Sequence, residues 1–147
     1  MLGVDCQWAV PKGCEPDGDV VERAKLIAKK TDCRMSETND PVEAVNDANF
    51  IYTDVFISMG DEDAEVKMNK FDGFQVNLEL LENAAEDWKF MHCLPAHRGE
   101  EVTDEVVDHP QSIVFDQAEN RMWAQMSILT YLIDKNSWDV YSEIMEV

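Results

Sequence analysis

Short apolar runs alternate with amphipathic helical stretches along the whole chain, and this rhythm restricts the fold to a parallel sheet covered by helices. Asp5 to Val10 reads as a strand closed by the turn Pro11-Lys12-Gly13. Asp17 to Thr31 follows as a helix, with Val20, Ala24, Ile27 and Ala28 at helical spacing and Lys29 and Lys30 suited to its C-terminal dipole. Cys33 to Thr38 forms a second strand. Asp40-Pro41-Val42-Glu43 then offers an N-cap, a proline at the first helical position and a glutamate at the capping-box position. Phe50 to Val55 is a buried strand, and Asp61-Glu62-Asp63 an acidic helix start. Gly73 to Asn77 is a short extended piece, and Leu78 to Ala85 a helix. Phe90 to Cys93 and Ser112 to Phe115 are further strands. From Gln117 a helix places Met122, Met126, Leu129 and Ile133 on one face.

A length of 147 residues suits one domain with one core. Twelve basic residues oppose 31 acidic ones, a net charge of −19. Such a field repels nucleic acid and anionic membranes, and fits either a solvated acidic surface or the steering of a cationic substrate. No run of about 18 apolar residues exists to span a membrane, and the N-terminus lacks the basic and apolar regions of a signal peptide, so a cytoplasmic protein is expected. Cys6, Cys14, Cys33 and Cys93 show no CxxC spacing and are expected to be free thiols. Large apolar residues between Trp138 and Met145 call for a partner surface.

The segment richest in chemistry is His92-Cys93-Leu94-Pro95-Ala96-His97-Arg98-Gly99-Glu100-Glu101. It ends the apolar run Trp88 to Met91, and Leu-Pro forces a turn immediately afterwards. A thiol, an imidazole and backbone carbonyls thereby reach the carboxyl edge of a sheet, where open α/β folds bind ligands. Alone, a thiol beside a histidine also suits a cysteine nucleophile. Zinc held by His92, Cys93 and His97 lacks the usual fourth ligand. His92 is either a packed, hydrogen-bonded strand residue or a ligand contact, and His97 and Arg98 read as loop residues.

Three motifs in order carry a family resemblance. Asp54-Val55-Phe56-Ile57-Ser58-Met59-Gly60 resembles the Asp-x-x-x-Ser-Met-Gly amino-acid-binding motif of ornithine carbamoyltransferases. His92-Cys93-Leu94-Pro95 resembles their His-Cys-Leu-Pro motif, and Phe115 to Arg121 the start of their closing helix. Ala9 to Pro16 also follows the pattern of their second domain, so the likeness covers essentially residues 1–147. It implies an α/β fold, a three-layer Rossmann-like ornithine-binding domain with a parallel sheet flanked by helices. The family's Ser-x-Arg-Thr-Arg carbamoyl-phosphate motif and its Asp-Gly-x-Asn-Asn turn do not occur in these residues. The chain is therefore expected to be a C-terminal piece without the domain's first strand and helix. That strand normally lies between those at Asp5–Val10 and Phe50–Val55.

The resemblance further implies transfer of the carbamoyl group of carbamoyl phosphate to the δ-amine of L-ornithine, with no cofactor and no metal. Asp54 and Cys93 would meet the reacting amine, and Ser58 and the backbone at Met59 the α-amino and α-carboxylate groups. Leu94 would offer its carbonyl to the carbamoyl amino group, and Arg121 its guanidinium to carbamoyl and phosphate oxygens. Alternatives for these residues are an Asp54 cap or turn, a Met59 core plug, and an Arg121 ion pair with Glu119 or another acid. The full-length protein is expected to be a homotrimer, and this chain alone to be inactive and marginally stable. Rival functions are a carbamoyltransferase for another amine such as putrescine, a non-catalytic ligand-binding or assembly module, and a cysteine-dependent hydrolase.

Overall fold

The computed structural model describes residues 3–57 and 64–134. In chain order the elements are β1 (Cys6–Ala9), α1 (Gly18–Lys30), β2 (Met35–Thr38), α2 (Pro41–Val45), β3 (Phe50–Thr53), α3 (Ala64–Lys70), α4 (Leu78–Leu81), β4 (Lys89–His92), α5 (Asp104–Val107) and α6 (Val114–Ile133). All strand pairing is parallel, as the alternating rhythm requires, but the strands form two separate two-stranded sheets. β1 pairs with β2, and β3 with β4. β1 and β3 are not hydrogen-bonded to each other.

Local chemistry explains most boundaries. The Asp17 carboxylate caps α1 by accepting from Asp19 and Val20 N–H, and the Thr31 hydroxyl donates to the carbonyls of Ile27 and Ala28 at its other end. Asp40 caps α2 through Val42 N–H, with Pro41 inside the first turn. The anticipated capping box does not form. Asp40 N–H donates to the Thr38 hydroxyl instead, and that hydroxyl in turn donates to Glu43.

Three sequence expectations are corrected and one element was missed. The strand expected to be buried from Phe50 to Val55 ends at Thr53 and buries only Ile51, with Phe50 and Tyr52 exposed. The helix beginning at Leu78 stops at Leu81 rather than Ala85, because Asn83 and Ala85 turn away to bond Asp47 and Ala48. Residues Ser112 to Phe115 are not a strand: only Ser112 bridges Phe90, and Val114 already begins α6, three residues before Gln117. The four-residue α5 was not anticipated; one apolar pair, Val106 and Val107, is too short for a periodic pattern. The stripe Met122, Met126, Leu129 and Ile133 on α6 is 49–80% exposed. The acidic helix start at 61–63 and the apolar segment from Trp138 lie outside the described residues.

The core sits almost wholly on the β3–β4 side. Ile51, Val76, Leu80, Leu81, Trp88, Phe90, Val102, Val106, Val107 and Val114 form one buried cluster. Phe90, with no exposed surface, is at its centre. Phe56 stacks on Phe71 at 4.4 Å between ring centroids, anchoring the chain just beyond β3. Replacing Phe90 by Ala should lower unfolding free energy by about 3–5 kcal/mol, whereas Leu132→Ala, at a position 70% exposed, should stay within about 0.5 kcal/mol. Urea titration of the two variants measures the difference.

Candidate active site

The parallel register of β3 and β4 sets Thr53 opposite His92, so the next residues, Asp54 and Cys93, leave the two strands side by side. There the Cys93 thiol donates to Asp54 Oδ1 at 3.0 Å, and Val55 N–H donates to the same oxygen at 2.7 Å. Each group shifts the other. The hydrogen bond from Cys93 is the main reason the Asp54 carboxyl lies below the usual carboxylate range. The same bond to Asp54, with partial burial second, raises the thiol above its ordinary range. Asp54 thus holds a negative charge and Cys93 its proton.

This arrangement argues against the cysteine-hydrolase reading. A nucleophilic cysteine needs a depressed pKa and a base within reach. His92 cannot supply that base, because both ring nitrogens are committed. Nδ1 accepts the Leu94 N–H at 2.9 Å, which leaves Nε2 to carry the proton and face Glu101 Oε1 at 3.2 Å. The same engagement removes His92 from the zinc set considered with Cys93 and His97. His97, Glu100 and Glu101 lie close enough to share a cation among the described residues. Glu101 Oε1, however, already accepts the His97 N–H at 2.6 Å as well as the His92 ring.

Leu94 follows at φ +54°, in the left-handed region that side chains with a Cβ seldom adopt, and precedes a cis bond to Pro95. Gly99, at φ +88° with its N–H donating to the Val102 carbonyl, turns the loop back so that Glu101 returns beneath it. Arg98 ties the loop to α5 through Asp104 at 2.9 Å and Asp108 at 2.7 Å.

α6 reaches the same edge. Gln117 Oε1 accepts the His92 backbone N–H at 3.1 Å. Arg121, one turn further along the same helix face, is exposed and makes no ion pair or hydrogen bond among the described residues. The alternative pairing with Glu119 is absent, since Glu119 accepts from the Trp123 indole instead. Ser58, Met59 and Gly60 lie outside the described residues.

The structure therefore joins Asp54, Cys93 and Leu94 and adds three residues that the sequence did not single out for the site. The Tyr52 hydroxyl, partly shielded and near Cys93 and Gln117, is raised above its ordinary pKa by that shielding first and by Cys93 second. Tyr52 stands two residues before Asp54, and strand alternation puts both on one face. That spacing was a signal available beforehand. Gln117 had none, being one polar residue in a helical motif, and Glu101, although inside the segment richest in chemistry, was given no role of its own there.

Comparison with known proteins matches residues 1–132 to the family model described as the Asp/Orn binding domain of aspartate/ornithine carbamoyltransferase. The chain is 51% identical over 135 residues to the catabolic ornithine carbamoyltransferase of Halobacterium salinarum, covering 91% of this chain and 44% of that protein. It superposes on ornithine carbamoyltransferase from Pyrococcus furiosus with TM-score 0.82 and 51% identity, covering 86% of this chain and 41% of the other. For the anabolic enzyme of Campylobacter jejuni the TM-score is 0.84 at 31% identity, over 91% of this chain and 45% of that one. The chain thus spans less than half the length of these relatives.

Asp54→Asn should bring the Cys93 thiol down toward the ordinary cysteine value of about 8.5, because the charged acceptor that favours the S–H form is gone. The pH dependence of Cys93 alkylation, read by peptide mass spectrometry, checks the shift.

Proposed function

Because the chain belongs to the aspartate/ornithine carbamoyltransferase family, through its amino-acid-binding domain, we propose that it is the L-ornithine-binding part of an ornithine carbamoyltransferase. The reaction is carbamoyl phosphate plus L-ornithine giving L-citrulline and phosphate. The observation that carries this reading is the Cys93–Asp54 pair, 3.0 Å apart at adjoining strand ends, with Leu94 next to it.

In this reading the δ-amine meets Asp54 and Cys93. A primary amine of this kind is an ammonium near neutral pH, since such groups have pKa of about 10. The charged Asp54 carboxylate attracts that cation and orients it. Once the amine has lost one proton, its lone pair attacks the carbamoyl carbon. A C–N bond forms, a tetrahedral intermediate appears, and the C–O bond to phosphate breaks with its electron pair leaving on phosphate. The amine's second proton departs, giving the neutral urea group of citrulline.

Positioning and charge stabilisation carry such a step without a covalent enzyme intermediate. The protonated Cys93 is a hydrogen-bond partner for the amine rather than a nucleophile. Leu94 offers its carbonyl to the carbamoyl amino group. The Arg121 guanidinium, unpaired among the described residues, suits the planar carbamoyl and phosphate oxygens. Ser58 and the backbone at Met59 are assigned to the α-amino and α-carboxylate groups, on the strength of the Ser-Met-Gly motif.

Carbamoyl phosphate is assigned mainly to the part of the longer relatives that this chain does not match. The reading extends to a homotrimer serving arginine biosynthesis or breakdown in the cytoplasm. It draws on the four free thiols, which suit a reducing compartment, and on the exposed apolar residues of α6, which suit burial against further protein.

The protein carrying this chain should carbamoylate L-ornithine and leave putrescine unchanged, as followed by citrulline release and by mass. Equal turnover of putrescine would replace the reading with a diamine carbamoyltransferase, and release from neither would favour a binding module. In that protein Asp54→Asn should lower kcat for ornithine by about a hundredfold or more, given the cost of a misplaced reacting group. The 147-residue chain assayed by itself should release no citrulline.

A further inference from the structure

The His92–Glu101 pair is more deeply buried than anything the transfer reaction touches. Both side chains have no exposed surface. Burying a carboxylate and an imidazole together costs free energy that an apolar pair of similar size would not, so the pair calls for a specific geometric use. One Glu101 oxygen, Oε2, has no hydrogen-bond partner at all. Glu101 is therefore not best placed for its own solvation. Its other oxygen collects both the His92 Nε2–H and the His97 N–H.

These bonds form a closed path beneath the turn. The Leu94 N–H donates to His92 Nδ1, His92 Nε2–H donates to Glu101 Oε1, and the His97 N–H returns to that same oxygen. Residues 94 and 97 are both fixed, on either side of Pro95-Ala96. Leu94 sits at φ +54°, a conformation that persists only when its surroundings hold it. Cys93 lies between the anchored His92 and the anchored Leu94 N–H. Its thiol direction, and hence its 3.0 Å contact with Asp54, depends on both anchors.

We propose that His92 and Glu101 are positioning residues, a buried pair that holds the Cys93-Leu94 backbone so that the thiol meets Asp54 and the Leu94 carbonyl faces the substrate. The pair touches neither substrate nor reacting atoms, and acts through Leu94. Its catalytic consequence rests on the carbamoyltransferase reading above; its effect on the thiol does not.

The test is the pH midpoint of Cys93 alkylation, a property that loss of stability alone does not move in a folded protein. Asp54 and the Tyr52 hydroxyl face the thiol, and both are left in place. His92→Asn keeps an acceptor near Leu94 N–H but falls short of Glu101, and His92→Gln does the reverse. Either break, and Glu101→Ala, should lower the midpoint toward that of an ordinary cysteine, about 8.5. Glu101→Gln keeps an acceptor for both donors and should preserve the wild-type midpoint. Unchanged midpoints in folded His92→Asn and His92→Gln proteins, folding being checked by circular dichroism, would overturn the proposal.

Should those variants not fold, the imidazole nitrogen resonances of the unsubstituted protein decide. A proton on Nε2 supports the path, and a proton on Nδ1 breaks it. In the protein carrying this chain, His92→Asn should also lower kcat by about a hundredfold, as expected for a displaced reacting group. Absence of citrulline from the unsubstituted protein would defeat the carbamoyltransferase reading alone, since the thiol measurement needs no substrate.

Discussion

Everything at the proposed site depends on the parallel register between β3 and β4. With Thr53 opposite His92, the residues one step further on emerge together at the same end of the sheet. A slip of one residue would send each side chain to the other face of its strand. Asp54 and Cys93 would then part, and Tyr52 would go with Asp54, away from the thiol. The register is secured by burial as well as by hydrogen bonds. Ile51 and Phe90 are paired directly and both enter the core, so a slipped strand would expose them.

That pairing also decides what a thiol can do there. An acceptor with a negative charge favours the donor form of its neighbour, so Asp54 keeps Cys93 protonated. A cationic base in the same place would have had the opposite effect, and the histidine next in sequence invites that expectation. It fails for a simple geometric reason. Consecutive residues of a strand point to opposite faces, so His92 enters the interior while Cys93 faces Asp54. Adjacency in sequence here means separation in space.

The sequence showed the parallel α/β architecture and the meeting of Asp54 with Cys93, because each rests on local periodicity or on a motif, while strand bounds were missed by up to two residues. It did not show α5, whose four residues are shorter than any helical repeat. It misplaced Ser112 to Phe115, where a β-rich composition is overridden by a single bridge to Phe90 and by Val114 being needed in the core. Glu101 was equally hidden. Its role arises from a loop closure across residues 92–101 that no spacing rule encodes, and its side chain is chemically identical to the many acids on the surface. His92 stayed ambiguous because a strand-end histidine can point either way until the register is known.

The distribution of packing then explains why the chemistry gathers at one pair of strands. Apart from Ala28, the buried apolar residues belong to, or pack beyond, the β3–β4 half, while β1 and β2 contribute mainly exposed or half-buried positions. Sites hold their geometry when the elements carrying them are locked by packing. Asp54 leaves a strand anchored by Ile51 and by the Phe56–Phe71 stack, and Cys93 leaves one anchored by Phe90 and His92. Among the described residues β1, β2 and β3 each keep an outer edge with no strand paired to it, while the outer edge of β4 is met at Phe90 by Ser112. Every open sheet keeps two edge strands, and their free N–H and C=O groups are normally covered or blunted by other parts of the protein. The β3–β4 half has the packing to sustain a precise site, and the β1–β2 half, with less buried apolar surface, is held less firmly.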